Sequence, residues 1–194
     1  MHLRIPEARA YLTLATHFLR LAEGASAQLV RRKNALAVIS DKKVTPAQYA
    51  RKTGWSDHAV GIAILFNLYH GIELVLKGCL AIRAEPPNSH KLSELLTELK
   101  KSGLCPTLAA TIAKFVRHID GTSPLGRFLA ANGIAIDSWY ESLKYPKSRK
   151  GKPFTHIKLK YGGLSTVAFW RAVGQGAASL RKQSVAFLRE AEGA

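Results

Sequence analysis

The apolar residues between Gly61 and Ile82 fall into two adjacent stripes. One holds Ile62, Leu65, Tyr69, Ile72, Leu76 and Cys79, and the other holds Gly61, Ile64, Leu68, Gly71, Val75, Gly78 and Ile82. At about 100° per residue, two neighbouring stripes leave little polar circumference, so the pattern predicts a helix covered on several sides by other helices. Its ionisable residues before Arg83 are His70, Glu73 and Lys77, and all of them share one narrow sector. The helix is predicted from about Asp57 to Ala84, with Pro86-Pro87-Asn88 ending it.

The remaining chain reads as helices of the same kind. Pro6 suits a first helical turn, and Tyr11, Leu12, Leu14, Ala15, Phe18, Leu19, Ala22 and Leu29 form an apolar face. The cations Arg31, Arg32 and Lys33 then lie where they complement the helix dipole. Thr45-Pro46-Ala47-Gln48 is a capping-box start for a short helix stopped at Gly54. Beyond the central helix, Ser89 is the expected cap of a helix through Leu92, Leu95, Leu96 and Leu99, which Gly103 closes. Pro106 opens another with Leu108, Ile112, Phe115, Val116 and Ile119, and Ser123-Pro124 starts a brief one through Phe128 and Leu129. Asp137 is the expected cap of a helix containing Trp139, Tyr140 and Leu143. Pro146, Gly151 and Pro153 bar a helix from Lys144 to Lys160, so a loop is predicted there, with a short strand or hairpin at Phe154 to Tyr161. Gly162-Gly163 hands over to a last helix, Leu164 to about Ala191, with Trp170 and Leu180 facing inward. The sum is one all-α domain over residues 1–194, an up-and-down helical bundle with a basic loop or short hairpin before its last helix.

Composition changes the picture mainly through charge. A formal net charge of +16 on 194 residues favours an anionic partner such as nucleic acid or nucleotide, against the plainer reading of a soluble basic bundle. Seven of the lysines and arginines lie between Lys144 and Lys160, where there is no acidic residue and where Tyr145, Phe154, His156 and Tyr161 are interleaved. Cations beside flat rings suit a single strand, holding phosphates while bases stack, and a solvated basic loop is the alternative. Cys79 and Cys105 make neither a disulfide framework nor a metal cluster and read as inert thiols. The most apolar run, Ala59 to Tyr69, is short for a bilayer and no secretory signal pattern opens the chain, so a cytoplasmic protein without a membrane role is expected.

His-Gly-Ile-Glu-Leu-x-Leu-Lys-Gly from His70 to Gly78, the break at Pro86-Pro87, and His-Lys-Leu-Ser-Glu-Leu-Leu from His90 to Leu96 together resemble the HEPN superfamily of small helical domains. A weaker echo is Leu-Lys-Tyr-Pro at 143–146. The resemblance implies a helical bundle that binds nucleotide or RNA in a toxin–antitoxin or defence-type system, often as a homodimer beside a cognate antitoxin or a minimal nucleotidyltransferase. It also supports His70, Glu73 and Lys77 as ligand-binding residues, beside Lys144, Tyr145, Lys147, Lys150 and Lys152, which the charge and rings of the basic loop propose on their own. Those three central-helix residues can share protons or hold phosphate, or can simply form an i,i+4 pair within a hydrogen-bond network that pins the bundle. The small residues Gly61, Gly71 and Gly78 can meet a second copy, or can pack within the chain.

RNA-cleaving members of that superfamily carry Arg-x4–6-His, and the matches here are Arg51/His58, Arg83/His90 and Arg149/His156. The family motif lies late in the bundle, which makes Arg149 and His156 the candidate catalytic pair of a metal-independent endoribonuclease, although Gly151 and Pro153 interrupt helical spacing between them. A third reading is a helix-turn-helix DNA-binding regulator, since Tyr49, Ala50, Gly54, Trp55 and Val60 follow that spacing. Its recognition helix would be Ser56 to Ile64, which lacks the Arg, Lys, Asn and Gln that read bases. The alternative there is a plain helical turn packing Trp55. No phosphate-cradling P-loop, Gly-x-Ser-x-Gly or nucleotidyltransferase carboxylate pair is present, and neither cofactor nor metal is expected.

Overall fold

A computed structural model describes residues 4–193. The chain is an all-α helical bundle, and among the described residues there is no β-strand beyond one isolated bridge pair, Lys147 and Pro153. The helices are α1 (Ile5–Arg31), α2 (Pro46–Thr53), α3 (Ile62–Ala81), α4 (Leu92–Ser102), α5 (Pro106–Val116), α6 (Pro124–Asn132), α7 (Trp139–Ser142) and α8 (Val167–Gly193).

The long helix α1 lies between α3 and α8, antiparallel to both. A Cβ on Gly71 would meet Leu19 and one on Gly78 would meet Leu12, so the α3 glycines let α1 approach closely. On the other side Gly174 faces Ser26, Arg181 Nε reaches Glu23 at 3.1 Å, and Arg9 Nε reaches Glu192 at 2.9 Å. Gly61 is covered by Trp170 of α8. The small-residue stripe is thus taken up inside the chain. Helices α4, α7 and α8 also pack on α3, and α5 packs on α4 and α8, with Trp139, Trp170, Tyr69 and Phe128 the largest buried side chains. The stretch Asp57–Ala81 is in fact long and apolar enough to cross a membrane by length and composition, but most of it is buried within the bundle, as a core helix should be.

Several local expectations meet corrections. The central helix starts with a π-turn over Asp57–Gly61 and its regular part ends at Ala81, short of Ala84. Ser89 does not cap α4; Ser89 Oγ accepts from the Lys91 amide and donates to Glu94. Asp137 does that work from 44 residues away, accepting from the Ser93 amide at 2.9 Å and from its hydroxyl, so it caps α4 instead of its own helix. Phe154 to Tyr161 holds a 3₁₀ turn at His156–Leu159 where a strand was expected, since the Lys147–Pro153 bridge is not extended by further pairing. Trp55 is 38% exposed and does not pack the turn after α2.

A buried clasp closes the last helix onto the first. Asn34, left-handed at φ 49°, accepts from the Asp57 amide at 2.6 Å and donates from Nδ2 to Asp57 Oδ2 at 2.7 Å. The same carboxylate accepts from the Tyr161 and Gly162 amides, each at 2.9 Å. Tyr161 itself is left-handed, φ 62°, and its ring stacks on His58. A non-glycine residue persists in that conformation only where its surroundings over-determine it, and here two amides are held by one buried acid.

Candidate nucleic-acid interface

The α3 glutamate is the centre of a polar site inside the bundle. Glu73 is 2% exposed; Lys77, one turn on, points Nζ at Glu73 Oε1 at 2.8 Å. His90, on the loop before α4, donates from Nδ1 to the same oxygen at 2.9 Å. His70 Nδ1 stands 3.7 Å from Glu73 Oε2, too far for a hydrogen bond, and both atoms are buried without another partner. Burial pushes the Glu73 carboxyl up, yet the polar neighbours His70, Lys77 and His90 outweigh it, and the group is held below its ordinary range.

Aromatic residues fix the two imidazoles. His70 meets Phe18 edge-on at 4.3 Å between centroids, with Phe66 and Trp139 also around it. Trp139 is fully buried, and its Nε1 donates to the His90 carbonyl at 3.0 Å, which holds the His90 backbone against α7. The His90 ring stacks on Tyr140 at 4.4 Å. A carboxylate only accepts, so it is Nδ1–H of His90 that meets Glu73, and Nε2 is turned to the outer edge of a side chain that is half exposed.

Tyr140 also carries the site outward. Its hydroxyl accepts from Lys144 Nζ at 3.0 Å, an ammonium that lies over both the Tyr140 and Tyr145 rings. The hydroxyls of Tyr140, first, and then Tyr145 raise the Lys144 pKa, keeping it charged. From there Tyr140, Tyr145, Lys147 and Arg149 line an open groove of about 490 Å³. Lys144, Tyr145, Lys147, Arg149, Lys150 and Lys152 are all exposed, and the Arg149 amide donates to Glu141. The buried residues of the central helix and the exposed residues of the loop are therefore linked by a chain of contacts that runs through His90 and Tyr140.

Arg149 and His156 are placed differently from each other. Arg149 extends into the groove, whereas His156 stacks on Phe128 and donates from Nε2 to the Ser142 carbonyl at 2.6 Å. In the other two matches, Arg83 donates to the Ser102 carbonyl while His90 turns to Glu73, and His58 stacks on Tyr161. In the stretch Ser56 to Ile64, only His58, Ala59 and Ala63 are exposed, none of them suited to reading bases. Sequence reasoning left out His90 as a ligand-facing residue, although it begins the second half of the pattern that resembles HEPN. Tyr140 had no signal beyond its place before Lys144. Among the described residues no group of three or more His, Cys, Asp or Glu side chains is placed to hold a metal. Comparison of the chain with protein-family models, with curated proteins and with solved structures finds no match.

Proposed function

We propose that this chain is an RNA- or nucleotide-binding module of HEPN type, acting in the cytoplasm as part of a toxin–antitoxin or defence-type system. A flexible single strand lies along Lys144 to Lys152 and reaches the His90–Tyr140 edge. The observation that carries this reading is the position of Tyr140, which holds His90 by its ring and Lys144 by its hydroxyl and so sets the cations of the loop, and the exposed ring of Tyr145, beside the acid–base site. A cognate antitoxin or nucleotidyltransferase is the protein partner in this reading. Homodimerisation uses a face other than the glycine stripe, which α1 and α8 already occupy.

Fluorescence anisotropy with a single-stranded RNA tests it. Binding weakens steeply with salt, because each neutralised phosphate releases counterion. Changing Lys147, Arg149, Lys150 and Lys152 together to Ala removes about four contacts and flattens the slope accordingly, at roughly 0.7 per phosphate on a single strand. Equal binding and equal slope in that variant sink the proposal.

One observation favours a second reading, metal-independent RNA cleavage. The Glu73–His90 pair presents an imidazole Nε2 beside a surface suited to phosphates, the arrangement a general base needs. His90→Asn then abolishes cleavage with binding kept, while His156→Ala has that effect if the Arg149/His156 pair is the seat of catalysis. No cleavage by the unchanged chain leaves binding as the activity.

A further inference from the structure

A second cavity, of about 510 Å³, shares no lining residue with the basic loop and lies between α3, the end of α5, the start of α6 and the first turns of α8. Its walls include Leu65, Leu68, Leu125 and Val173, all buried, with Phe115 and Phe169 partly so. Its hydroxyls are already committed: Tyr69 donates to the Phe115 carbonyl, Ser165 to Gly162, and Thr166 to Gly163. Asp120 is its one acidic lining residue, and both carboxylate oxygens accept from the Thr122 hydroxyl, one of them also from the Thr122 amide. At the exposed mouth two cations, Lys114 and Arg127, outnumber the one acid, Asp120. Lys114 and His118 are exposed there with no hydrogen-bond or ion-pair partner among the described residues, and Arg127 is braced by one bond from Nη1 to the Thr122 carbonyl.

We propose that this cavity binds a small ring-bearing anion, an aryl phosphate or aryl carboxylate, with the ring against the apolar walls and the acid at Lys114, His118 and Arg127. The volume lies within the range of about 300–1,000 Å³ usual for small-molecule sites. The polarity separates along its depth, apolar inside and cationic outside, which matches a molecule with one flat apolar end and one charged end. A neutral polar ligand meets no free hydroxyl inside.

Calorimetric titration of the full chain with 1-naphthyl phosphate and with neutral 1-naphthol tests the site. The phosphate is expected to bind once per chain, about tenfold or more tighter than the naphthol. Lys114→Ala combined with Arg127→Ala weakens the phosphate by about tenfold and leaves the naphthol nearly unchanged. Ala172→Trp, at an exposed position on the rim, blocks both ligands without disturbing the core, which an unchanged melting temperature verifies. The variant with Lys147, Arg149, Lys150 and Lys152 changed to Ala binds as tightly as the unchanged chain, so this result is independent of RNA binding. No binding at millimolar ligand, binding indifferent to Ala172→Trp, or loss of binding in the loop variant each overturns the proposal.

Discussion

Glu73 shows how much one buried charge can commit. Its carboxylate is the counter-ion of Lys77 and the hydrogen-bond partner of His90, so Glu73→Gln leaves a largely buried ammonium unpaired. Such a vacancy costs about 3 kcal/mol or more, and urea denaturation is expected to show a loss of that order. The pH dependence follows from the sign of the shift. The folded carboxyl titrates below its ordinary value of 4.5, so its stabilisation is fully present above that value and is lost as pH falls through the lower folded value. Melts over about pH 3 to 6 should therefore show a shallower acid limb in the Gln variant than in the unchanged chain. His70, Glu73 and Lys77 were legible as a group because helical spacing alone puts them on one sector. Their fourth member was not, since His90 reaches Glu73 across the Pro86-Pro87 break and no periodicity spans a loop.

Among the elements, the glycines of α3 and α1 carry opposite consequences. A Cβ at Gly78 would stand 2.7 Å from Leu12 Cγ, against a helix that cannot retreat without losing its own contacts with α8. Gly78→Val is expected to destabilise by about 1–3 kcal/mol through overpacking. Gly24 in α1 has nothing within 4 Å of such an atom, and Gly24→Ala should stabilise by about 0.5–1 kcal/mol by restricting the unfolded chain and favouring the helix. Chemical denaturation of the two variants checks both signs. Helix existence was readable wherever an apolar stripe ran for several turns, as in Gly61 to Ile82, and starts were readable where a local cap sat in place, as at Thr45 and Ser123. The start of α4 was not, because its cap comes from Asp137; a sequence window sees only Ser89, the nearer residue of the right chemistry.

Across the whole molecule, the excess of positive charge gathers most densely on the exposed stretch from Lys144 to Lys152, while the buried acid–base site lies behind it. The loop was readable from Pro146, Gly151 and Pro153, which exclude helix. Its connection to α3 depends on the ring of Tyr140, and stacking between residues 50 apart leaves no mark on local composition. The Asn34–Asp57 clasp was hidden for the same reason: each residue taken singly looks like a turn or a helix cap.

That clasp makes the bundle divisible. The chain after Gly151 is moored by Asp57 at Tyr161 and Gly162, and then by the full length of α8 lying along α1, whereas the crossing from Lys147 to Pro153 is spanned by a single bridge pair. A specific protease site inserted after Lys150 should accordingly yield, on cleavage, two pieces on a denaturing gel but one undivided particle by size-exclusion chromatography. The same two pieces, expressed separately, should reconstitute the native circular dichroism spectrum on mixing, and Asp57→Ala should prevent that reassembly. The protein would then serve as a split pair, whose fragments report when two fused partners meet.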